Sequence, residues 1–160
     1  MNWVRQIVSF ILPVTVLIIV PMNIEKDWSF SPGWIFFAGL MSITTGLIMM
    51  GFTISSFIRI GKGTLAPWSP TKKLVVTGLY QYVRNPMILG VLLVLLGESA
   101  CFWSVALLKW ATLFFAINTA YFIIYEEPNL EARFGSKYQD YKNHVSRWVP
   151  RLTPYRPDEK

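Results

Sequence analysis

Long apolar runs separated by short polar stretches dominate the chain. From Ile7 to Val20 almost every residue is apolar, with Arg5 ahead and Pro21-Met22-Asn23 leading straight into a polar turn. Residues 3–22 read as a first membrane helix, with a kink expected at Pro13. A charged start before an apolar run also fits a signal peptide. No small-x-small cleavage site follows, so the helix is expected to stay uncleaved. Residues 33–58 read as a second span, entered past Trp28 and Trp34, which suit the water–lipid boundary. Gly39, Ser42 and Gly46 recur on it at helical spacing, which lets another helix or a second copy approach closely.

Residues 59–85 form the one long polar segment, with Arg59, Gly61-Lys62-Gly63-Thr64, Pro67, Pro70 and Lys72-Lys73. A connection of that length in a compact chain is usually functional or disordered. The pattern turns apolar again at Asn85-Pro86-Met87. Asn85 suits an N-cap, and Pro86 suits the first helical position, where a missing N–H costs nothing. A third span over 86–101 would be about 24 Å long at about 1.5 Å per residue, short for a bilayer core of about 30 Å. A fourth span over 104–125 follows Phe102-Trp103 so closely that the two predict a helical hairpin, with Glu98 near its tip. Lys109, one turn into the fourth span, can snorkel to the same side. Beyond Tyr125-Glu126-Glu127-Pro128 the tail is polar, and Leu130, Phe134, Tyr138 and Tyr141 share one helical face. An interfacial helix lying on the bundle is the expected form.

The predicted fold is all-α: an integral membrane protein with four transmembrane helices, a hairpin toward the C-terminus and an amphipathic cytoplasmic tail. Charge sets the expected topology. Lys and Arg gather in 59–85 and in the tail (Arg133, Lys137, Lys142, Arg147, Arg151, Arg156, Lys160), whereas the hairpin tip has none and the 25–32 turn only Lys26. The positive-inside rule then puts both termini, the long loop and the tail in the cytoplasm, consistent with a cell inner membrane. The net charge of +6 flanks apolar runs, so it suits lipid headgroups and argues against nucleic acid as a partner. Cys101 is the sole cysteine, which excludes an internal disulfide, and no His/Cys cluster suggests a metal. His144, the sole histidine, is expected at the surface or interface, although its ordinary pKa would suit a general base.

The chemistry gathers where the polar loop becomes the third span. The helix start at Pro86 points free N–H groups and a positive dipole end at the loop. Arg84 immediately precedes it, and Tyr80 and Tyr82 lie just upstream. Such a corner suits a nucleoside-bearing cofactor as well as an ordinary interfacial helix start. Glu126 and Glu127 sit at the other open end of the same hairpin and should be neighbours of Arg84. Successive helical residues point about 100° apart, so the two carboxylates cannot serve one small group equally. One would face inward for ribose hydroxyls or an ammonium. The other would pair with Arg84 or with backbone N–H groups.

The stretches Gly61-x-Gly63-Thr64, Pro67, Pro70, Leu74-Val75, Gly78-x-Tyr80, Arg84-Asn85-Pro86-Met87 and Gly90 resemble the signature of the isoprenylcysteine carboxyl methyltransferase and phospholipid methyltransferase family. So do Tyr125-Glu126-Glu127-Pro128-x-Leu130, Phe134-Gly135, Tyr138, Tyr141 and Val145-x-Arg147-Trp148-x-Pro150. The resemblance covers about residues 59–151. It implies S-adenosyl-L-methionine as cofactor and methyl transfer to a lipophilic acceptor, such as an isoprenylcysteine carboxylate or a lipid amine, that arrives from the membrane. It implies Arg84, Asn85, Pro86, Gly90, Glu126 and Glu127 as cofactor positions, beside Tyr80, Tyr82 and Val83, with Arg84 and Arg147 orienting the acceptor. Residues 1–58 would then supply two N-terminal helices, and residues 59–160 the cofactor-binding catalytic region. Two departures bear on the acceptor: Asn85 stands where the eukaryotic prenylcysteine enzymes have His, and Ile88 where many relatives have Tyr. Two other classes fit the pattern: a steroid-reductase-type membrane enzyme using NADPH, and a non-catalytic lipid-binding membrane protein.

Overall fold

A backbone in an apolar surrounding must bond its own polar groups, and a helix does so within one segment. The computed structural model describes residues 11–26, 28–29, 32–56 and 74–156. The motif at 61–64, with Pro67, Pro70, Lys72 and Lys73, lies outside the described residues. Among them every regular element is helical: α1 (Ile11–Ile24), α2 (Trp34–Ser56), a 3-10 turn (Gly78–Gln81), α3 (Pro86–Cys101), α4 (Val105–Phe134) and α5 (Ser136–His144). α2 and α4 are long and apolar enough to cross a membrane, while α1 and α3 are shorter apolar helices. Large apolar side chains such as Trp34, Met41, Phe52 and Ile124 are exposed on the outside, as lipid-facing positions are. The molecule is an all-α integral membrane protein.

The centre of the bundle is the contact of α2 with α3, built from glycines. A methyl group on Gly46 would lie 2.5 Å from the Gly90 carbonyl oxygen, and one on Gly97 would lie 2.6 Å from that of Gly39. Two glycine pairs, each seven residues apart, therefore face each other across the interface, and Ser42 between them donates to the Leu93 carbonyl at 2.7 Å. The small stripe read on the second span serves an internal contact. Met50, Val91, Val94, Leu95, Ala111 and Phe114 fill the core beside it. α3 and α4 turn over at Phe102-Trp103-Ser104, where the Ser104 hydroxyl accepts the Leu107 N–H at 3.2 Å and caps α4.

Two prolines shape the helices that carry them. Pro21 has no N–H, and its ring would meet the carbonyl of Leu17, four residues back. Leu17 is the middle residue of a π-helical turn, Thr15–Ile19. Within that turn the Val20 N–H reaches back to Thr15, so the Val16 carbonyl is released. The Trp110 indole N–H of α4 takes it at 3.2 Å. Pro128 repeats the arrangement in α4: its ring would meet Ile124, the middle of a second π turn, Phe122–Glu126. The wider turn rotates everything beyond it relative to the apolar part of α4. The turn ahead of Pro13, where a kink is expected, lies outside the described residues.

The tail departs from the single interfacial helix expected of it. Gly135, at φ +55°, breaks it into the end of α4 and α5. The apolar face survives the break. Leu130, Phe134, Tyr138 and Tyr141 pack with Val145, Tyr155, Leu74 and Val76 into a second small core.

Candidate functional site

The site is assembled by four segments: the loop ahead of α3, the end of α4, α5 and the tail. Gly78, at φ +61°, turns the chain into the loop that precedes α3. The backbone of this loop is claimed by the C-terminal tail. Arg84 N–H donates to Ser146 O, Arg151 N–H to Tyr82 O and Tyr155 N–H to Gln81 O, each at 3.0 Å. The Tyr141 hydroxyl donates to Tyr80 O at 2.6 Å. Residues 145–155 thus lie as a strap across the loop. Burial holds the Tyr80, Tyr141 and Tyr138 phenols above their ordinary pKa, so all three stay neutral.

Under the strap sits one carboxylate. Glu127 has 6% of its side chain exposed and meets Arg147 Nε at 2.6 Å, Arg84 Nη1 at 3.1 Å and Lys142 Nζ at 3.4 Å. Lys142 also binds Glu131 at 2.6 Å. Arg84 Nη1 lies 3.4 Å from the Tyr138 hydroxyl, to which it donates. The hydrogen bond to Glu127 holds Arg147 above its ordinary pKa. The cluster joins the pre-α3 loop, the end of α4, α5 and the tail, and an ion pair this enclosed is sensitive to loss of either partner.

The structure brings Arg84, Glu127 and Arg147 together, as the sequence reading of the hairpin ends anticipates for Arg84. It places the other residues differently from one another. Asn85 stands at the N-cap of α3 but makes no side-chain cap bond, and Pro86 is at N1 as expected. Val83 and Pro86 are buried. Tyr82 is half-buried. Gly90 faces α2: its position is explained by the Gly46 carbonyl, 2.9 Å from where a methyl group would be. Glu126 is half-buried, and its partner among the described residues is the Tyr121 hydroxyl at 3.4 Å. His144 is exposed, stacked on Tyr155 and bonded to Asp140, the surface position expected of it.

Lys142 escapes a reading of the sequence: it reaches Glu127 from 15 residues away, across the break at Gly135, which leaves no periodic trace. Arg147, which the resemblance names for orienting the acceptor, reaches Glu127 from 20 residues away along the strap. Trp148 is the strap residue that enters the bundle, with its ring 5.3 Å from Phe115 and 5.8 Å from Phe122. The one sequence signal available was its place in the Val145-x-Arg147-Trp148-x-Pro150 run. Among the described residues no group of His, Cys, Asp and Glu could hold a metal.

The phospholipid methyltransferase family matches residues 34–137, from the start of α2 into α5. Methanethiol S-methyltransferase 2 of Bradyrhizobium diazoefficiens is 42% identical over 78 residues, covering 46% of this chain and 27% of that protein. Methanethiol S-methyltransferase of Mycobacterium tuberculosis is 34% identical over 76 residues, covering 45% of this chain and 28% of that protein. Its namesake in Crocosphaera subtropica is 30% identical over 135 residues, covering 77% of this chain and 50% of that protein. The chain thus spans half or less of the length of these curated relatives. No solved structure matches it. With the family match running over most of the chain and across both ends of the hairpin, the protein belongs to the phospholipid methyltransferase family.

Proposed function

We propose that this protein is an S-adenosylmethionine-dependent membrane methyltransferase acting on a small lipophilic acceptor, with a thiol as the favoured class. The observation that supports the reading is the division of labour between two adjacent carboxylates. Glu127 is consumed by three cations, which fixes the loop ahead of α3. Glu126, one residue earlier, is left half-exposed beside Tyr121. Glu126 is then the acceptor for ribose hydroxyls, and the backbone N–H groups at the start of α3 meet the carboxylate end of the cofactor. When bound, S-adenosylmethionine supplies a methyl group on a positively charged sulfur. What remains for the protein is alignment and exclusion of water, because direct displacement needs no strong acid or base.

The same geometry bears on the acceptor. Arg84 and Arg147 are both paired with Glu127, which offsets their charge toward an incoming carboxylate. This favours an uncharged or thiol acceptor over an isoprenylcysteine carboxylate, and the relatives named methanethiol S-methyltransferase point the same way. In this reading Arg84 and Arg147 position the loop and strap. α2 serves as the packing platform for α3.

Calorimetric binding of S-adenosylhomocysteine to the detergent-purified protein tests the reading, with NADPH as the competing ligand. Saturable binding of S-adenosylhomocysteine is expected, lost in Glu126→Ala with thermal stability unchanged. Binding of NADPH in its place would assign the protein to the reductase class. Binding of neither would leave a lipid-binding protein.

A further inference from the structure

Serine and threonine in a helix commonly bond the carbonyl four residues back. Here Thr15, Thr44, Thr45, Thr53, Ser55, Ser56 and Thr112 all do so. Thr119 does not. Its hydroxyl oxygen is buried without any hydrogen-bond partner, and so is the indole N–H of Trp148. The two belong to one place. Phe115, Thr119 and Phe122 lie one above another on α4 at spacings of four and three, and Trp148 packs against both phenylalanines. Phe122 opens the π turn that ends at Glu126, and Arg147, next to Trp148, holds Glu127. An unmade hydrogen bond at a buried donor is costly, so two at one spot ask for a ligand atom.

We infer that Thr119 and Trp148 form the acceptor subsite, two neutral donors in an aromatic wall that hold the sulfur of a small apolar thiol. The inference rests on the methyltransferase reading for the thiol's role, while the subsite itself stands on the geometry. No charged side chain is needed there, and none of these four residues carries one. Phe115, Phe122 and the Trp148 ring would enclose the alkyl group. Both bonds strengthen as the thiol gives up its proton to water and its sulfur takes on charge, and that sulfur would then bond the methyl carbon as the bond from this carbon to the cofactor's sulfur breaks. The position on the apolar part of α4 lets a molecule dissolved in the bilayer enter without crossing the charged cluster.

The test uses the full chain in detergent, with indole-labelled tryptophan and 1-butanethiol as the probe. The Trp148 N–H resonance is identified by its loss in Trp148→Phe. In the wild type it should shift saturably with butanethiol and stay in place with pentane. In Trp148→Phe and Thr119→Val the KM for the thiol should rise about tenfold, the loss expected for one hydrogen bond to a charged acceptor. Affinity for S-adenosylhomocysteine should stay within about twofold. Thr119→Val without ligand should melt no lower than the wild type, since it removes an unpartnered hydroxyl. A Trp148 resonance unmoved by the thiol would overturn the inference, as would a Thr119→Val variant that melts several degrees lower. Absence of methyl transfer with a moving resonance would instead sink the methyltransferase reading and leave the subsite.

Discussion

Two regions of this molecule hold segments together by opposite means. Where α2 meets α3, nothing is charged. Backbone lies on backbone because Gly39, Gly46, Gly90 and Gly97 have no side chains to keep them apart. At the other region, Glu127 gathers Arg84, Arg147 and Lys142 from three segments, and a strap of backbone hydrogen bonds closes over them. Lipid offers no hydrophobic drive for helices to meet, so the first region relies on shape and dispersion. The second lies at the end of the apolar stretch, where polar loops can be ordered only if their donors and acceptors find partners. The first should be indifferent to pH and salt and intolerant of a methyl group. The second should show the reverse.

The largest expected effect is at Glu127. Glu127→Gln keeps the volume and removes the charge, leaving Arg84 and Arg147 enclosed without a counter-ion. Breaking a buried pair in this way costs about 3–5 kcal/mol, so the melting temperature should fall sharply. An unchanged melting temperature would show that the cluster is not holding the strap. Gly46→Ala comes next. Its methyl group would press on the Gly90 carbonyl and on Val94, and forced overpacking costs about 1–3 kcal/mol. Gly51→Ala is the control on the same helix: a methyl there meets nothing within 4 Å, and the change should be neutral or favourable. Equal losses in the two variants would mean that the close contact does not explain the first, since helix propensity favours alanine at both positions. Tyr141→Phe follows, since it removes one hydroxyl bond to the Tyr80 carbonyl and should cost about 0.5–1.5 kcal/mol.

What the sequence made legible follows the same division. The apolar runs placed the helices closely: 86–101 for α3, 33–58 for α2 over Trp34–Ser56, and the start of α4 within a residue. The glycine stripe of α2 was visible because helical spacing is local, but its partner Gly97 was not singled out, since one stripe does not name its mate. The Arg84–Glu127 meeting could be anticipated because both lie at the open ends of one hairpin. Which glutamate turns inward could not, because the π turn before Pro128 changes the register between the apolar face and the acids. The strap was illegible for a further reason. Its hydrogen bonds are made by backbone, and any sequence carries those groups.

The smallest effect belongs to Lys142, and it separates the two regions most cleanly. Its side chain is 37% exposed, so Lys142→Met should cost only about 0.2–1 kcal/mol. The dependence on conditions carries the information. The hydrogen bond to Glu131, helped by the charges of Glu127 and Glu131, holds the ammonium above its ordinary pKa of 10.5. The folded state therefore binds that proton more tightly than the unfolded chain does. The stabilisation is complete below about 10.5 and is lost as pH rises through the higher folded value. The difference in melting temperature between wild type and Lys142→Met should stay constant from about pH 7 to 9 and close only in stronger alkali. It should also shrink as salt is raised from about 0.1 M to 1 M, where screening shortens from about 10 Å to 3 Å. The Gly46→Ala deficit should respond to neither. A Lys142 deficit that ignored both pH and salt would mean that its methylene chain, not its charge, supports the cluster.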